Sequence, residues 1–327
     1  MKYILGLDTS YYTSSLACVS LDGEILLNKQ VILEVARGDR GLQQSKAIFT
    51  HLQNLPSITS AVHSTIKEAE LVAVCASVRP RPYKDSYMPV FVLSKSLGQS
   101  IANTANVPFY ETSHQENHIM AGLHRLEAFS NNRLLVVHLS GGTSELLDVR
   151  VKPTGFDIQL IGSTLDLHAG QFVDRVGVAI GLTFPSGPQL EKLAMEEVSS
   201  FDLEYHVKDL NISFSGPESY AQRQILQGVN NTRIARGVYN TLLKTLSKWL
   251  TNAVKKGYPR DVLLVGGVSS SMILRNGLLS DPKLKENDIS LYFADPKLSK
   301  DNAVGSALLG LNMFKKNKID LSCKGGI

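Results

Sequence analysis

One run of elements is written twice along this chain, and that repetition limits the fold more than any single motif. The first copy reads YILGLD, SLACVSL and EILLNKQV, three strands, the last two joined at Asp22-Gly23, a hairpin turn signal. A polar, helix-compatible segment follows from about Leu42 to Glu68, and then LVAVCASV, a continuous apolar run expected of a strand buried on both faces. Helix, short strand and helix come next. The pattern restarts at LLVVHLSGGTSELLDVRV, a strand, a glycine-rich turn and a second strand, with FDIQLIG as the third. Strand, turn, strand, strand and then helices, occurring twice, predicts two related α/β domains around a cleft. A chain of 327 residues can bury two such cores, and no low-complexity linker divides them.

Composition removes other classes. With 43% hydrophobic and 20% charged residues the chain is neither disordered nor a membrane protein. The opening MKYILGLDTS has an apolar run cut by Asp8, too short for a secretory core, so a cytoplasmic protein without a membrane partner is expected. Cys18 and Cys75 fall in strand-like runs and Cys323 near the end, with no CxxC pair, which argues against a disulfide framework or a zinc knuckle. The net charge of +4 permits a nucleic-acid partner and is equally explained by solubility.

The turns carry the candidate chemistry. GLDTS (Gly6 to Ser10) and LSGGTS (Leu139 to Ser144) follow apolar strands with small residues whose backbone amides can approach a phosphate or carboxylate. LLVGGVSSS (Leu263 to Ser271) follows DVLLV and leads into MILRNGLL, read as a helix, so Gly266 and Gly267 would let a ligand lie near a helix N-terminus. Each turn is also explained as an ordinary turn. None matches GxxxxGK[ST] or GxGxxG, so neither a P-loop nor a Rossmann reading is supported.

SHQENHIMAGLH places His114 and His118 four residues apart. At about 100° per residue they share one helix face and could hold one metal ion, or they could be a solvated face. Glu116 points away from His114 and lacks the HExxH position of a zinc protease; with Ser113 it fits the S-x-x-E capping box instead.

In order along the chain, these segments resemble the TsaD family, the tRNA threonylcarbamoyladenosine synthase subunit formerly described as an O-sialoglycoprotein endopeptidase. Its HxxxH is similar to His114 and His118, and its DNGAM-type aspartate is matched by Asp301 in KDNAVGSALLGL. VSGGHTQL resembles LSGGTSEL, covering Leu139, Ser140, Gly141, Gly142 and Thr143; GEAFDK falls on GQFVDR, with Gly170 and Asp174. YPGGP is FPSGP here, keeping Gly187 and Pro188; FSFSGLK is ISFSGPE, keeping Ser213 to Gly216; and AGGVSANRTLR is similar to VGGVSSSMILR, with Gly266, Gly267 and Ser271.

The resemblance implies an α/β chain of the actin, sugar kinase and Hsp70 (ASKHA) fold, with residues 1–130 plus 294–327 as one actin-like domain and 131–293 as the second. It implies one Fe(II) or Zn(II) held by His114, His118 and Asp301, threonylcarbamoyl-AMP or an adenine nucleotide in the cleft, and a catalytic carboxylate at Asp8. It further implies transfer of the threonylcarbamoyl group to N6 of the adenosine beside the anticodon in tRNA, with tRNA, other threonylcarbamoylation proteins or a second copy as partners. Two histidines and one carboxylate suit either metal and leave room for substrate. Read alone, Asp301 is instead a helix N-cap before NAVGSALLG.

Several positions depart from the family. ETSCDET is DTSYYTS, so Asp8 keeps a charge while Tyr12 and Thr13 replace two acids. The GPGLVGALLVG stretch is RPRPYKDSYMPVFVLSKSLG, where Arg79, Arg81 and Lys84 with Tyr83 and Tyr87 form a basic loop, either a grip for phosphate or base or an ordinary surface. The turn histidine is Thr143, the GEAFDK glutamate is Gln171, and the asparagine of GVSAN is Ser271. Kept ligands beside changed substrate-side residues mark a divergent member. Three activities follow as alternatives: threonylcarbamoyl transfer to tRNA, carbamoyl transfer to another acceptor, or a nonenzymatic binding and scaffolding subunit. A protease and a sugar kinase are disfavoured, the first for want of HExxH or a nucleophile with its base, the second for want of an acidic base near the second turn.

Overall fold

The computed structural model describes residues 1–10, 12–34, 42–124, 126, 132–197 and 201–324. Five strands come from the first half: β1 (Lys2–Ser10), β2 (Thr13–Ser20), β3 (Ile25–Ile32), β4 (Glu70–Arg79) and β5 (Phe109–Ser113). Between and after them lie α1 (Gln44–Thr65), α2 (Phe91–Ala105) and α3 (His114–Leu123). They form a sheet of order β3-β2-β1-β4-β5, antiparallel from β3 to β1 and parallel from β1 to β5. The hairpin at Asp22-Gly23 forms as the sequence predicts, with Gly23 at φ 86°.

The second half repeats the plan. It contains β6 (Arg133–Leu139), β7 (Ser144–Lys152), β8 (Gly155–Ser163), α4 (Ala169–Ala179), α5 (Gly187–Met195), β9 (His206–Lys208) and β10 (Asn211–Ser213). Then follow α6 (Ser215–Leu226), α7 (Asn231–Lys255), β11 (Asp261–Val265), α8 (Met272–Ser280), α9 (Pro282–Glu286), β12 (Ser290–Phe293), α10 (Pro296–Ser299) and α11 (Val304–Lys324). The second sheet runs β12-β11-β6-β7-β8, with the same three antiparallel strands and the same parallel pairs as the first. The repeat read from the sequence is therefore a repeat of sheet topology. The boundary expected near residue 130 lies outside the described residues. The short β9–β10 pair and the single helical turn Gly267–Ser270 were not anticipated.

Both sheets are covered on both faces, which explains the apolar runs in β1, β4, β6 and β11. Helices α1 and α2 cover one face of the first sheet, with Ile58 and Ala102 in that core. The helices from α4 to α8 cover one face of the second, around fully buried Trp249, whose indole N–H donates to the Leu210 carbonyl at 2.8 Å. Helix α3 lies between the two sheets. Its Ile119 packs on Leu134, Val136 and Leu263 of the second, while Ala121 joins Ala303 and Ala307 over the first. Helix α11 lies against α3, β1 and β4. The chain's middle and its last helix are thus brought together. Cys18 and Cys75 are buried free thiols, Cys18 pushed up to about 12 by burial. No described helix is long and apolar enough to cross a membrane.

The turn after β11 shows why one glycine there is obligatory. Gly266 has φ 92°, and a Cβ on it would lie 2.2 Å from the Leu139 carbonyl oxygen, whereas Gly267 faces open space. Gly266→Ala is expected to cost more than about 1 kcal/mol, and Gly267→Ala less than that. Urea unfolding of the two variants checks this; equal midpoints would contradict the close packing of the two turns.

Candidate metal centre

The site begins with a helix cap. Ser113, the last residue of β5, accepts the Glu116 N–H on its Oγ at 3.2 Å, and Glu116 Oε2 accepts the Ser113 N–H at 2.9 Å. This is the capping box read from the sequence, and it holds Glu116 away from metal chemistry. The cap fixes the first turn of α3 at the C-terminal end of a parallel strand. His114 and His118 then face the same way, with ring centroids 4.6 Å apart.

Asp301 meets both rings. Its Oδ1 lies 3.2 Å from His118 Nε2 and 3.6 Å from His114 Nε2, while its Oδ2 accepts the Ser10 hydroxyl at 2.8 Å. Donor atoms of the three residues lie within 4.8 Å of one another. A tetrahedral ion with bonds of about 2.1 Å needs donors about 3.4 Å apart, so this donor set fits Zn(II) or Fe(II) without rebuilding the backbone. His118 is 1% exposed, His114 17% and Asp301 25%, so the cluster opens toward solvent on the His114 and Asp301 side. Asp301 is not the helix cap: the Val304 N–H is taken by Asn302 Oδ1 at 2.9 Å, which leaves the aspartate to the histidines.

Asp8 stands behind the cluster. Its Oδ2 lies 2.9 Å from His114 Nδ1 and accepts from Asn117 Nδ2 at 3.1 Å. The Asp8 carboxylate is 0% exposed, and its contact with the cluster is through the His114 ring. Holding Nδ1 fixes the ring so that Nε2 faces Asp301, the arrangement by which outer carboxylates orient metal-binding imidazoles. Burial pushes His114 down, but the charge and hydrogen bond of Asp8, with Asp301 behind it, raise it to about 9. Burial pushes Asp301 up, yet the His118 hydrogen bond and the charge of His114 hold it well below the usual carboxylate range.

Two members of this assembly carry no sequence signal that the motif reading used. Asn117 donates to Asp8 and to the Asn302 carbonyl, and its Oδ1 accepts the Ser306 N–H at 2.8 Å. The His138 ring on β6 lies tilted against that of His118, with centroids 4.7 Å apart. Both are buried, and a polar residue in an apolar strand was the available hint for His138.

The other expected residues line the turns nearby. Ser140 to Thr143 follow β6, the Ser140 amide donating to the Thr143 carbonyl at 2.8 Å, and Gly170 at the start of α4 donates to the Ser140 carbonyl at 3.1 Å. Leu139 is buried beneath Gly266, so what it offers a ligand is backbone only. Ser271 caps α8 and donates to Glu191 Oε1 at 2.7 Å. Asp174 accepts the Ser186 N–H at 2.7 Å beside Gly187, whose carbonyl accepts the Tyr239 hydroxyl at 3.0 Å. Ser213 and Ser215 donate to Asp166 and pin the α6 end to the loop before α4.

The basic loop is largely spent on internal pairs. Arg79 pairs with Glu111 at 3.1 Å, and Arg81 reaches across to Glu145 on β7, whose other oxygen takes Gln115 at 2.7 Å. Tyr12, standing where an acid is expected, packs against Phe184 with centroids 6.0 Å apart. Both contacts join segments of the first sheet's half to segments of the second's.

The His114–Asp8 pair predicts a pH dependence for protein freed of metal by chelation. His114 is raised from 6.5 to about 9, so the pair stabilises the fold fully below 6.5 and the contribution is lost as pH rises through about 9. The urea midpoint of the metal-free protein is expected to fall over that window, and Asp8→Asn to flatten the fall. An unchanged slope in the variant would contradict the pairing.

Comparison with known proteins gives the family and the fold. Residues 46–308 match the model of the family TsaD: tRNA N6-adenosine threonylcarbamoyltransferase. A tRNA N6-adenosine threonylcarbamoyltransferase of Oenococcus oeni is 28% identical over 93% of this chain and 90% of its own length. One of Thermus thermophilus is 28% identical over 94% and 91%. Among solved structures, component A of the Acidaminococcus fermentans (R)-2-hydroxyglutaryl-CoA dehydratase aligns with TM-score 0.57 and 15% identity over 96% of this chain and 99% of that one. A ROK family glucokinase from Streptomyces griseus aligns with TM-score 0.52 and 12% identity, over 94% and 99%. At such identities these structures establish the fold, the ASKHA arrangement of two like α/β halves, and nothing more.

Proposed function

The chain belongs to the TsaD family of tRNA N6-adenosine threonylcarbamoyltransferases, and from that membership we infer that it transfers a threonylcarbamoyl group from threonylcarbamoyl-AMP to N6 of the adenosine next to the anticodon in tRNA. The observation that carries this reading is the donor set of His114, His118 and Asp301, spaced for one Fe(II) or Zn(II) and open on one side. A bound ion of this kind supplies a Lewis acid that polarises the carbamoyl donor.

The chain's own residues do the rest. Asp8 holds His114 in place through Nδ1, and Ser10 holds the second oxygen of Asp301, so the ligand atoms are preorganised. Backbone amides at Gly141, Gly142, Gly266 and Gly267 are suited to the phosphate and nucleoside of the donor. Asp174, fixed by Ser186, and Gly187 also stand on the donor in this reading. In the transfer the adenosine N6 forms a bond to the carbamoyl carbon, the bond from that carbon to the phosphate oxygen breaks, AMP leaves, and N6 gives up a proton. In this reading the division at 1–130 plus 294–327 and 131–293 gives each sheet its own domain. The protein works in the cytoplasm with tRNA and with other threonylcarbamoylation proteins or a second copy.

One observation favours a second reading, carbamoyl transfer to a different acceptor. Tyr12, which stands where the family carries an acid, packs on Phe184, and Arg81 pairs with Glu145, so the acids that the motif implies at positions 12 and 13 are replaced by an aromatic contact and a hydroxyl.

The deciding assay supplies threonylcarbamoyl-AMP and unmodified tRNA to the purified protein and follows modified adenosine by nucleoside mass spectrometry. The expected result is tRNA-dependent product, reduced more than about hundredfold in His118→Ala and Asp301→Ala. Donor consumption without modified adenosine would replace the tRNA reading by the second one, and no consumption at all would leave a scaffolding subunit.

A further inference from the structure

The loop between β4 and α2 is a stiff frame that holds two tyrosines out into solvent. It runs RPRPYKDSYMPV from Arg79, and Pro80, Pro82 and Pro89 restrict its backbone. The Pro80 carbonyl accepts the Gln115 N–H at 3.0 Å, one residue past His114. The Arg81 N–H donates to Ser86 Oγ at 3.0 Å, and the Ser86 N–H donates to the Tyr83 carbonyl at 3.1 Å, closing a tight turn. At the other end Met88, Val90 and Phe91 enter an apolar cluster, and the Val90 carbonyl accepts the Thr9 hydroxyl at 2.7 Å. The Phe91 ring lies 5.6 Å from that of His114. Both ends of the loop are thus tied beside His114, on the side where the cluster opens.

What this frame presents is Tyr83, 41% exposed, and Tyr87, 72% exposed, on either side of the Lys84-Asp85 tip. A single exposed aromatic on a surface needs no explanation. Two on one braced turn at the edge of the site do. Tyr83 is three residues from Pro80 and Tyr87 four from Phe91, so their backbones lie within about 11 and 14 Å of those anchors. The cations nearby are already engaged: Arg79 and Lys95 pair with Glu111, Arg81 pairs with Glu145, and Lys84 has Asp85 beside it in the turn. Recognition here therefore falls to the rings and not to net charge. Flat rings on a preorganised loop suit the faces of unpaired bases, the mode by which proteins hold single-stranded RNA. The family stretch GPGLVGALLVG has no aromatic residue at all, so the two tyrosines are this chain's own.

We propose that the Tyr83–Tyr87 turn is a stacking platform for the unpaired bases that flank the adenosine entering the site. This rests on the reading of tRNA as the acceptor. An adenosine whose N6 is to react must leave its stack in the anticodon loop and gives up stacking on its neighbours. The two rings offer those neighbours a replacement surface.

The test measures binding of a labelled, unmodified anticodon stem-loop RNA to the full-length protein by fluorescence anisotropy, beside a fully paired duplex of the same length. Tyr83→Ala, Tyr87→Ala, Lys84→Ala and the double variant Tyr83→Phe with Tyr87→Phe are compared, with urea midpoints to confirm that each is folded. The expected result is stem-loop binding weakened about tenfold in each tyrosine-to-alanine variant, kept within about threefold in the double phenylalanine variant, and duplex binding unchanged. The tyrosine losses are expected to be alike at low and raised salt, because stacking carries them, while Lys84→Ala alters only the salt slope. Native-strength stem-loop binding in both tyrosine-to-alanine variants would overturn the platform and leave the tRNA reading standing. Equal losses in the alanine and phenylalanine variants, or an equal loss on the duplex, would overturn stacking as its basis. No stem-loop binding by the native protein would overturn the tRNA reading and the platform with it. Should an alanine variant fail to fold, the serine variant at that position decides by the same comparison.

Discussion

The side chain of Asn117 ties together everything the site needs. It sits between the two histidines in sequence and shares Asp8 Oδ2 with His114: it donates to Asp8 of β1 and to the backbone before α11, and accepts from the first turn of α11. The approach is so close that a Cβ on Gly305 would lie 1.9 Å from the Asn117 carbonyl oxygen, so the last helix can dock only with glycine there. That docking delivers Asp301 to His114 and His118. The His114, His118 and Asp301 cluster is thus a product of packing between elements nearly 200 residues apart, Asn117 and Ser306 being separated by 189. Leaving such a buried, multiply bonded amide without its partners costs about 1–3 kcal/mol per lost group, enough to unseat the helix start beside Asp301.

Because α3 lies between the sheets, the same helix connects the cluster to both halves of the chain. Ile119 rests on the second sheet and Ala121 on the first, so the histidines keep their place only while both halves hold the helix. The residues that depart from the family pattern add to this connection. Tyr12 meets Phe184, and Arg81 meets Glu145, each linking the two halves near the cleft. Substitutions that look independent along the sequence are partners in space, and a change at one of them is expected to be felt at the other.

Much of the architecture was legible because it is written in local pattern. Apolar runs gave the buried strands, Asp22-Gly23 gave the hairpin, and Ser113 with Glu116 gave the cap that starts α3. The doubled strand order followed from the repeat. What was not legible depends on distance. Asp8 reads as a family carboxylate whose partners the sequence does not name, and it is wholly buried; Arg79 and Arg81, read as either a grip for phosphate or base or an ordinary surface, are paired with carboxylates from other elements. Asn117 and His138 sit in ordinary helical and apolar contexts, and only the fold reveals what faces them. Asp301 shows the same limit: in sequence it precedes a helix as a cap would, and the structure gives that duty to Asn302 one residue later.

The central claim is that one metal ion is held by two imidazoles of α3 and a carboxylate delivered by α11. Anomalous diffraction from crystals of the purified protein, recorded on either side of the iron and zinc absorption edges, tests it most directly. The account predicts a single strong peak within bonding distance of His114 Nε2, His118 Nε2 and Asp301. A peak elsewhere, or none after anaerobic reconstitution with each metal, would contradict it.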